Sequence, residues 1–122
     1  MQTTQIQNSL KKATIEMILL KLLSESDMYG YQLCQEIKKR SSDQYTILEG
    51  SMYPILYRLS EEGYIVPYNK KVGKRQIRVY YHMESIGTDY LNNLIEHYTK
   101  FTDVISILLN SKEAVSTDGR DD

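Results

Sequence analysis

Apolar residues recur at helical spacing in four stretches of this chain, and they alternate with polar residues between the third and fourth stretches. The first stretch, residues 10–23, is apolar around nearly the whole circumference of the predicted helix, and the second, residues 29–40, is apolar on one side. A helix that is apolar all round is buried on more than one side. In so small a protein, we expect one side of the first helix to face another subunit.

The third stretch, residues 50–63, predicts a short helix followed directly by a strand. Ser51 is a good N-cap, because its hydroxyl accepts a hydrogen bond from a first-turn N–H, and Pro54 then falls where N–H groups lack an intrahelical partner. Gly63 favours the left-handed conformation that ends a helix. The spacing places apolar side chains on one face and polar or aromatic ones on the other: Met52, Ile55, Leu56 and Leu59 inward, and Tyr53, Tyr57, Arg58 and Glu61 outward.

Residues 64–69 and 76–83 alternate in polarity, which predicts two strands joined by a turn at Gly73. Pro67 has no N–H to donate and therefore indicates an edge strand. No acidic residue occurs between Glu62 and Glu84, whereas the predicted hairpin is rich in basic residues. A small helix with an apolar back and an aromatic, basic front, followed by a basic hairpin, is the layout of a winged helix-turn-helix. The basic residues are Lys70, Lys71, Lys74, Arg75 and Arg78.

The fourth stretch predicts a long helix from Ser85 to about Asn110, with apolar residues at alternating spacings of four and three. At about 1.5 Å per residue this helix is roughly 35 Å long, which exceeds what the small domain needs. An exposed apolar seam of this kind is typical of a protein interface. We therefore predict a homodimer whose interface contains Leu91, Leu94, Tyr98, Phe101, Ile105 and Leu108.

Composition narrows the remaining function classes. The formal net charge of −1 argues weakly against nucleic acid, but local fields rather than the net value steer a polyanion. Cys34 is the single cysteine, which excludes an intrachain disulfide and a cysteine-rich zinc site. No stretch reads as a membrane span or a signal peptide, so we predict a cytoplasmic protein. Since no catalytic or metal-ligating constellation stands out, we predict neither an enzyme nor a cofactor.

The outward face of the third helix is the first candidate for contact with DNA. Tyrosine hydroxyls donate to phosphates, and arginine also pairs with guanine. The hairpin cations suit phosphate or minor-groove contact, and the basic end of the second helix compensates the helix dipole, with phosphate contact as the alternative. The candidate DNA-binding residues are Ser51, Tyr53, Tyr57, Arg58, Lys70, Lys71, Lys74, Arg75, Lys38 and Lys39.

Aromatic residues on the long helix are first of all packing residues. The alternative is that they line a cavity between subunits, because aromatic side chains commonly line pockets for flat organic molecules. The candidate effector pocket consists of Ile15 and Leu19 on the first helix with Tyr98 and Phe101 on the long helix.

Four motifs together resemble the PadR family of bacterial transcriptional regulators. Residues 28–33 resemble the Gly-Tyr opening of the family's second helix, and residues 50–65 resemble its recognition-helix signature. Residues 78–81 resemble the end of its wing, and residues 85–91 the entry to its dimerisation helix. Glu84 stands where the family usually has Thr, so we expect Ser85 to supply the helix cap.

The resemblance implies a cytoplasmic homodimer of the family's short form, with a single C-terminal dimerisation helix. It also implies repression of nearby genes, relieved by a small phenolic or drug-like effector, and two-fold symmetry demands an inverted repeat in the double-stranded DNA operator. The predicted fold is mainly α with a small β-hairpin: a winged helix-turn-helix domain at 1–83, a dimerisation helix at 84–110 and a disordered tail at 111–122. The alternative function is a winged-helix protein-interaction module that does not bind DNA.

Overall fold

The computed structural model describes residues 14–112 of the chain, together with residues 6, 8 and 10–12. From residue 15 onward the elements are α1 (Ile15–Glu25), β1 (Met28–Tyr29), α2 (Gly30–Arg40), α3 (Glu49–Glu61), β2 (Ile65–Val72), β3 (Gln76–Met83) and α4 (Ser85–Leu109). The predicted class, mainly α with a small β-hairpin, is confirmed. The two-residue strand β1 is an addition to the predicted elements. Most of the predicted tail, residues 113–122, lies outside the described residues.

The first helix begins later than predicted. Residues 10–12 are helical, but Thr14 lies in a turn and α1 starts at Ile15. The Thr14 hydroxyl donates to the Lys11 carbonyl at 3.2 Å and also shares a 2.9 Å hydrogen bond with the Tyr45 hydroxyl. A threonine that bonds to nearby backbone in this way offers the chain an alternative to continuing the helix.

The core lies between α1, the inner faces of α2 and α3, one face of the sheet and the first turns of α4. Met17 and Ile18 of α1 pack against its edge and are only partly buried. The fully buried side chains of the core are Leu19, Leu20, Leu33, Met52, Leu56, Leu59 and Ile65. The inward face predicted for α3 is thereby confirmed for Met52, Leu56 and Leu59.

The sheet has the strand order β1-β3-β2 and is antiparallel throughout. Strand β2 is therefore an edge strand, as Pro67 predicts. Ile65 faces Met83 and Pro67 faces Tyr81 across the ladder, and Ile65 and Tyr81 are buried. This alternation makes one face of the hairpin the core face and leaves the other face outward.

Helix α3 begins three residues before the predicted position, so the prediction of Ser51 as N-cap is wrong. Leu48 is the N-cap, and its extended backbone lets its carbonyl accept from the N–H groups of Ser51 and Met52 at 3.0 and 3.1 Å. Glu49 in the first turn suits the positive end of the helix dipole. Pro54 consequently lies inside the helix, where its missing N–H leaves the carbonyl four residues earlier without that bond.

The C-terminal end of α3 matches its prediction. Gly63 has a φ of +82°, which is left-handed. Its N–H donates to the Ser60 carbonyl, and the Tyr64 N–H donates to the Leu59 carbonyl, each at 3.0 Å. This pair of bonds is a Schellman motif, and it turns the chain directly into β2.

Helix α4 has nearly the predicted bounds, but the expected cap at Ser85 is wrong. Glu84 is the N-cap, with no side-chain capping bond, and its carbonyl accepts the Thr88 N–H at 3.0 Å. Gly87 is buried where α4 crosses the end of α3: a Cβ there would lie 3.0 Å from the Tyr64 carbonyl carbon and closer still to its oxygen. Only a glycine allows this approach.

Candidate nucleic-acid interface

The exposed face of α3 and the core face of the hairpin meet at a shallow cleft of about 330 Å³. Tyr53 and Tyr57 line it from α3, and Pro67 and Tyr81 line it from the strands. Tyr57 is 67% exposed. The Tyr53 ring instead lies across Gly30, where a Cβ would come within 2.7 Å of the ring carbon that carries the hydroxyl. Tyr53 therefore also holds α3 against the start of α2.

Beyond this cleft, the hairpin separates its cations between two faces. Lys71 lies opposite Ile77 on the face that continues from Ile65 and Pro67, which is the face turned toward the α3 cleft. Lys70 lies opposite Arg78 on the outward face. Lys74 and Arg75 are exposed at the turn, where Gly73 has a φ of +68°. The structure therefore brings Lys71, but not Lys70, to the side of Tyr53 and Tyr57.

Two like charges thus face each other on the outward side of the hairpin. Such a pair is unfavourable when directly opposed, and each cation is turned onto an aromatic ring. The Lys70 ammonium lies 4.9 Å from the centre of the Tyr80 ring, and the Arg78 guanidinium lies 4.3 Å from that of Tyr29. These cation–π contacts fix both side chains away from the α3 cleft.

The same outward face carries a hydrogen-bonded group centred on Asp27. The Tyr68 hydroxyl donates to one carboxylate oxygen at 2.6 Å, and the other oxygen lies 2.8 Å from His82 Nδ1. The hydrogen bond to Asp27 raises the pKa of His82. Desolvation raises the pKa of Asp27, but the bonds from Tyr68 and His82 outweigh it, so this pKa is below its usual value. The group ties both long strands to the segment before β1.

Arg58 is directed away from the two tyrosines. Its guanidinium forms an ion pair with Glu16 of α1, and the Tyr90 hydroxyl of α4 donates to the other oxygen of the same carboxylate. Arg58 remains 49% exposed, whereas Glu16 is 20% exposed. Burial, together with the bond to Glu16, raises the pKa of Tyr90 to about 12, so its hydroxyl stays protonated at neutral pH.

The remaining candidates for DNA contact lie at the edges of this surface. Ser51 is exposed near the start of α3, where it lines a separate depression with Ile15 and Ile55. Lys38 and Lys39 are exposed at the end of α2, in the last turn where basic charge favours the helix dipole. Their neighbour Arg40 is paired with Glu25 at 2.8 Å and Glu36 at 2.9 Å.

The candidate effector residues lie in different parts of the described structure. Leu19 is fully buried in the core, on the apolar side of α1 that packs inside its own subunit. Ile15 is buried and lines the depression near Ser51. Tyr98 lines a cleft of about 490 Å³ with Met17, Ile18 and Tyr45.

The seam of α4 divides into two halves. Leu91 is only 4% exposed and belongs to the core, and Leu94 packs against it. The second half projects beyond the domain with its apolar residues uncovered, and Phe101 is 66% exposed. Tyr98, Ile105 and Leu108 share this exposed surface.

Several residues of this region escaped the sequence analysis. Glu16 is the clearest, because an acidic residue in the first turn of a helix that is apolar around most of its circumference is itself a signal of a specific partner. Nothing local identifies that partner as Arg58 or Tyr90, which lie 42 and 74 residues away. Within the described part of the chain, no group of three His, Cys, Asp or Glu side chains is placed to hold a metal ion, and no helix is long and apolar enough to cross a membrane.

Comparison with known proteins agrees with this geometry. Residues 19–93 match the model of the "Transcriptional regulator PadR-like family". The chain is 28% identical over 108 residues to an uncharacterised protein of Lysinibacillus sphaericus, covering 88% of this chain and 99% of that protein. It is 33% identical over 63 residues to the Escherichia coli transcriptional regulator YqjI, covering 52% of this chain but 30% of that protein.

Solved structures give the same assignment. A transcriptional regulator from Clostridium thermocellum is 30% identical, with a TM-score of 0.75 over 80% of this chain and 95% of that one. A PadR-family regulator from Eggerthella lenta, at 22% identity, shares the fold with a TM-score of 0.81 over 90% of this chain and 94% of that one. The winged helix, its basic hairpin and the long final helix thus fit one family: the chain belongs to the PadR-like transcriptional regulators and is a regulator rather than an enzyme.

Proposed function

We propose that this protein is a homodimeric repressor that acts in the cytoplasm by binding an inverted repeat in double-stranded DNA. Helix α3 enters the major groove with Tyr53 and Tyr57, and the hairpin follows the backbone or the adjacent minor groove. Lys71, Lys74 and Arg75 supply the charge on that side. The dimerisation helix, residues 84–110, joins two winged helix-turn-helix domains, residues 1–83, so that their α3 helices reach half-sites about 34 Å apart.

One observation carries the DNA-binding proposal: among the described residues, the cations of the hairpin form no ion pair. Among the described residues, no carboxylate lies within ion-pairing distance of Lys70, Lys71, Lys74, Arg75 or Arg78, whereas Arg40 and Arg58 on the helices are paired. Uncompensated cations on a projecting hairpin destabilise one another unless an anion approaches. A phosphate backbone supplies that anion, and release of its counterions favours binding.

The opposed faces of β2 provide a matched test of this interface. Lys71→Gln and Lys70→Gln remove the same charge from adjacent positions, but only Lys71 lies on the side of the α3 cleft. We expect Lys71→Gln to weaken binding similarly on all DNA sequences and to lower the slope of log affinity against log salt by about one. Lys70→Gln should leave the slope of the wild type unchanged. Fluorescence anisotropy with labelled duplexes, at several salt concentrations, measures both.

The results of this experiment distinguish a failure of the DNA-binding proposal from a wrong assignment of the hairpin faces. If wild-type binding to duplex DNA does not depend on salt, or does not occur, the DNA-binding proposal fails. If both variants lose the same slope, DNA binding stands but the assignment of the hairpin faces is wrong. Lys100→Gln, on the far part of α4 and paired with Glu96 at 3.0 Å, controls for the change in net charge.

The proposal of a dimer is supported by the uncovered half of α4. Its apolar side chains have no partner in the single described chain, and exposed apolar surface of this extent marks an interface. In this chain α1 packs on its own α4, which leaves the partly buried side with Met17 and Ile18 available to the second subunit.

Release from DNA by an aromatic effector is the last part of the proposal. The cleft beside Tyr98 adjoins the uncovered half of α4, so a second subunit would close it. A ligand there releases DNA only if it binds better to a dimer whose α3 helices are wrongly spaced. Each tenfold loss of DNA affinity takes about 1.4 kcal/mol of coupling. Operator affinity with and without bound phenol, used as a simple aromatic probe, tests this part, and an affinity that the bound probe does not change would refute it.

A further inference from the structure

A single carboxylate joins three helices at the base of the winged helix. Glu16 of α1 accepts from Arg58 of α3 on one oxygen and from Tyr90 of α4 on the other. Arg58 lies in the last turn of α3, and Tyr90 lies in the second turn of α4. Glu16 therefore links the helix proposed to read DNA with the helix proposed to hold the dimer.

A second connection between the same two helices runs through Tyr64. Its N–H ends α3 by bonding to Leu59, and its carbonyl accepts the Glu84 N–H at 3.0 Å just before α4 begins. Its ring stacks on the Tyr90 ring with centroids 4.2 Å apart and planes 5° from parallel. The end of α3 is thus attached to the start of α4 through backbone and through an aromatic stack.

The two connections restrain different motions. The Tyr64 attachment fixes where α3 ends, and the buried Met52, Leu56 and Leu59 hold its inner face in the core. The Arg58 side chain extends from the side of α3, and its attachment to Glu16 adds a restraint that ties the last turn of α3 to α1 and α4. The Glu16 side chain is 20% exposed, and turning Arg58 away would leave its carboxylate without a cation, so the ion pair favours one rotation of the last turn of α3.

We propose that Glu16 is a positioning residue that fixes the rotation of α3 relative to α4, and thereby sets the half-site spacing that the dimer accepts. This inference rests on the proposed function, since it requires a dimer that reads two half-sites. Glu16 itself need not touch DNA. Glu16 acts through Arg58, because the ion pair between them holds the Arg58 side chain in place.

Glu16→Gln tests the proposal, because it removes the charge and preserves the shape. The matched control is Glu25→Gln on the same helix, which breaks an ion pair with Arg40 and Lys21 but connects α1 only to α2 and to itself. The measurement is affinity for duplexes whose half-sites are moved together or apart by one and two base pairs. We expect Glu16→Gln to reduce the preference for the best spacing by about fivefold or more, with little change in the salt slope, and Glu25→Gln to keep the wild-type preference.

Tyr90→Phe adds a second, milder variant in case Glu16→Gln folds poorly. It removes the hydroxyl bond to Glu16 and keeps the ring that stacks on Tyr64, so it should relax the spacing preference part of the way. An unchanged preference in both variants overturns the proposal. A uniform gain in affinity with a steeper salt slope also overturns it, because Arg58 would then be a phosphate contact that Glu16 withholds.

Failure of the proposed function gives a different result from failure of this inference. If the wild type binds a single half-site as tightly as an inverted repeat, the dimeric reading is wrong. If the wild type prefers one spacing and Glu16→Gln retains that preference in full, the dimeric reading stands and only the role of Glu16 is wrong.

Discussion

Replacing Gly87 by alanine should destabilise the protein, although alanine is the better helix former. Gly87 is the third residue of α4 and is buried against the chain that ends α3. An added Cβ would lie 2.8 Å from Met83 Sδ, 3.0 Å from the Tyr64 carbonyl carbon and nearer still to the Tyr64 oxygen. The methionine is able to move, but the Tyr64 carbonyl is backbone that accepts the Glu84 N–H.

The size of the effect follows from two opposing contributions. Alanine in place of glycine favours a helix by up to about 1 kcal/mol. Forcing an extra methyl group into a packed contact costs about 1–3 kcal/mol, and more when backbone must shift. We expect the second contribution to win by about 1–2 kcal/mol, which lowers the melting temperature by roughly 4 °C or more per kcal/mol in a domain of this size.

Gly50→Ala is the matched control, because Gly50 is also helical but has nothing within 4 Å of the added Cβ. This variant should be about 0.5–1 kcal/mol more stable than the wild type. Thermal and urea unfolding at one fixed protein concentration compare the three proteins, since a dimer's stability depends on concentration. A Gly87→Ala protein that is as stable as the wild type would refute the close approach of α4 to Tyr64.

Two further predictions concern the dimer and the hairpin. Phe101→Glu places a charge on the uncovered half of α4, so the wild type should sediment as a dimer at micromolar concentration and the variant as a monomer or an aggregate; a monomeric wild type would exclude the proposed dimer. The raised pKa of His82 and the lowered pKa of Asp27 give their pair most stability between about pH 4 and pH 6.5. The His82 contribution is lost as the pH rises through its folded-state pKa, and the Asp27 contribution is lost as the pH falls through its own. His82→Gln should therefore flatten the dependence of stability on pH above about pH 6.5, and a variant with the wild-type profile would show that the pair contributes nothing.

The parts of the fold that depend on residues close together in the sequence could be predicted from it. The buried face of α3 follows from apolar spacing alone, and the end of that helix follows from Gly63, whose left-handed conformation is a local requirement. Pro67 likewise identifies the edge strand, because a missing N–H has the same consequence in any sheet. The start of α3 was missed because Leu48 caps it with its backbone carbonyl, which every residue possesses.

The candidate site was less predictable, since its geometry depends on contacts between distant segments. The interruption at Thr14 involves Tyr45, 31 residues away. The alternation of the strands shows that Lys70 and Lys71 lie on opposite faces, but only the packing of Ile65 and Tyr81 identifies which face meets α3. Arg58 has the spacing of an outward residue, and only the position of α1 reveals that Glu16 meets it.

The cations of β2 have a consequence for how the protein behaves at high concentration. An edge strand exposes unpaired N–H and C=O groups to which a strand of another molecule can add, and such addition is the first step of β-aggregation. Pro67 removes one donor from this edge, and Lys70 and Lys71 repel the same edge of a second copy. The hairpin proposed to bind DNA therefore also opposes pairing between β2 edges, and neutralising Lys70 and Lys71 should leave an edge that a strand of another molecule can join more easily.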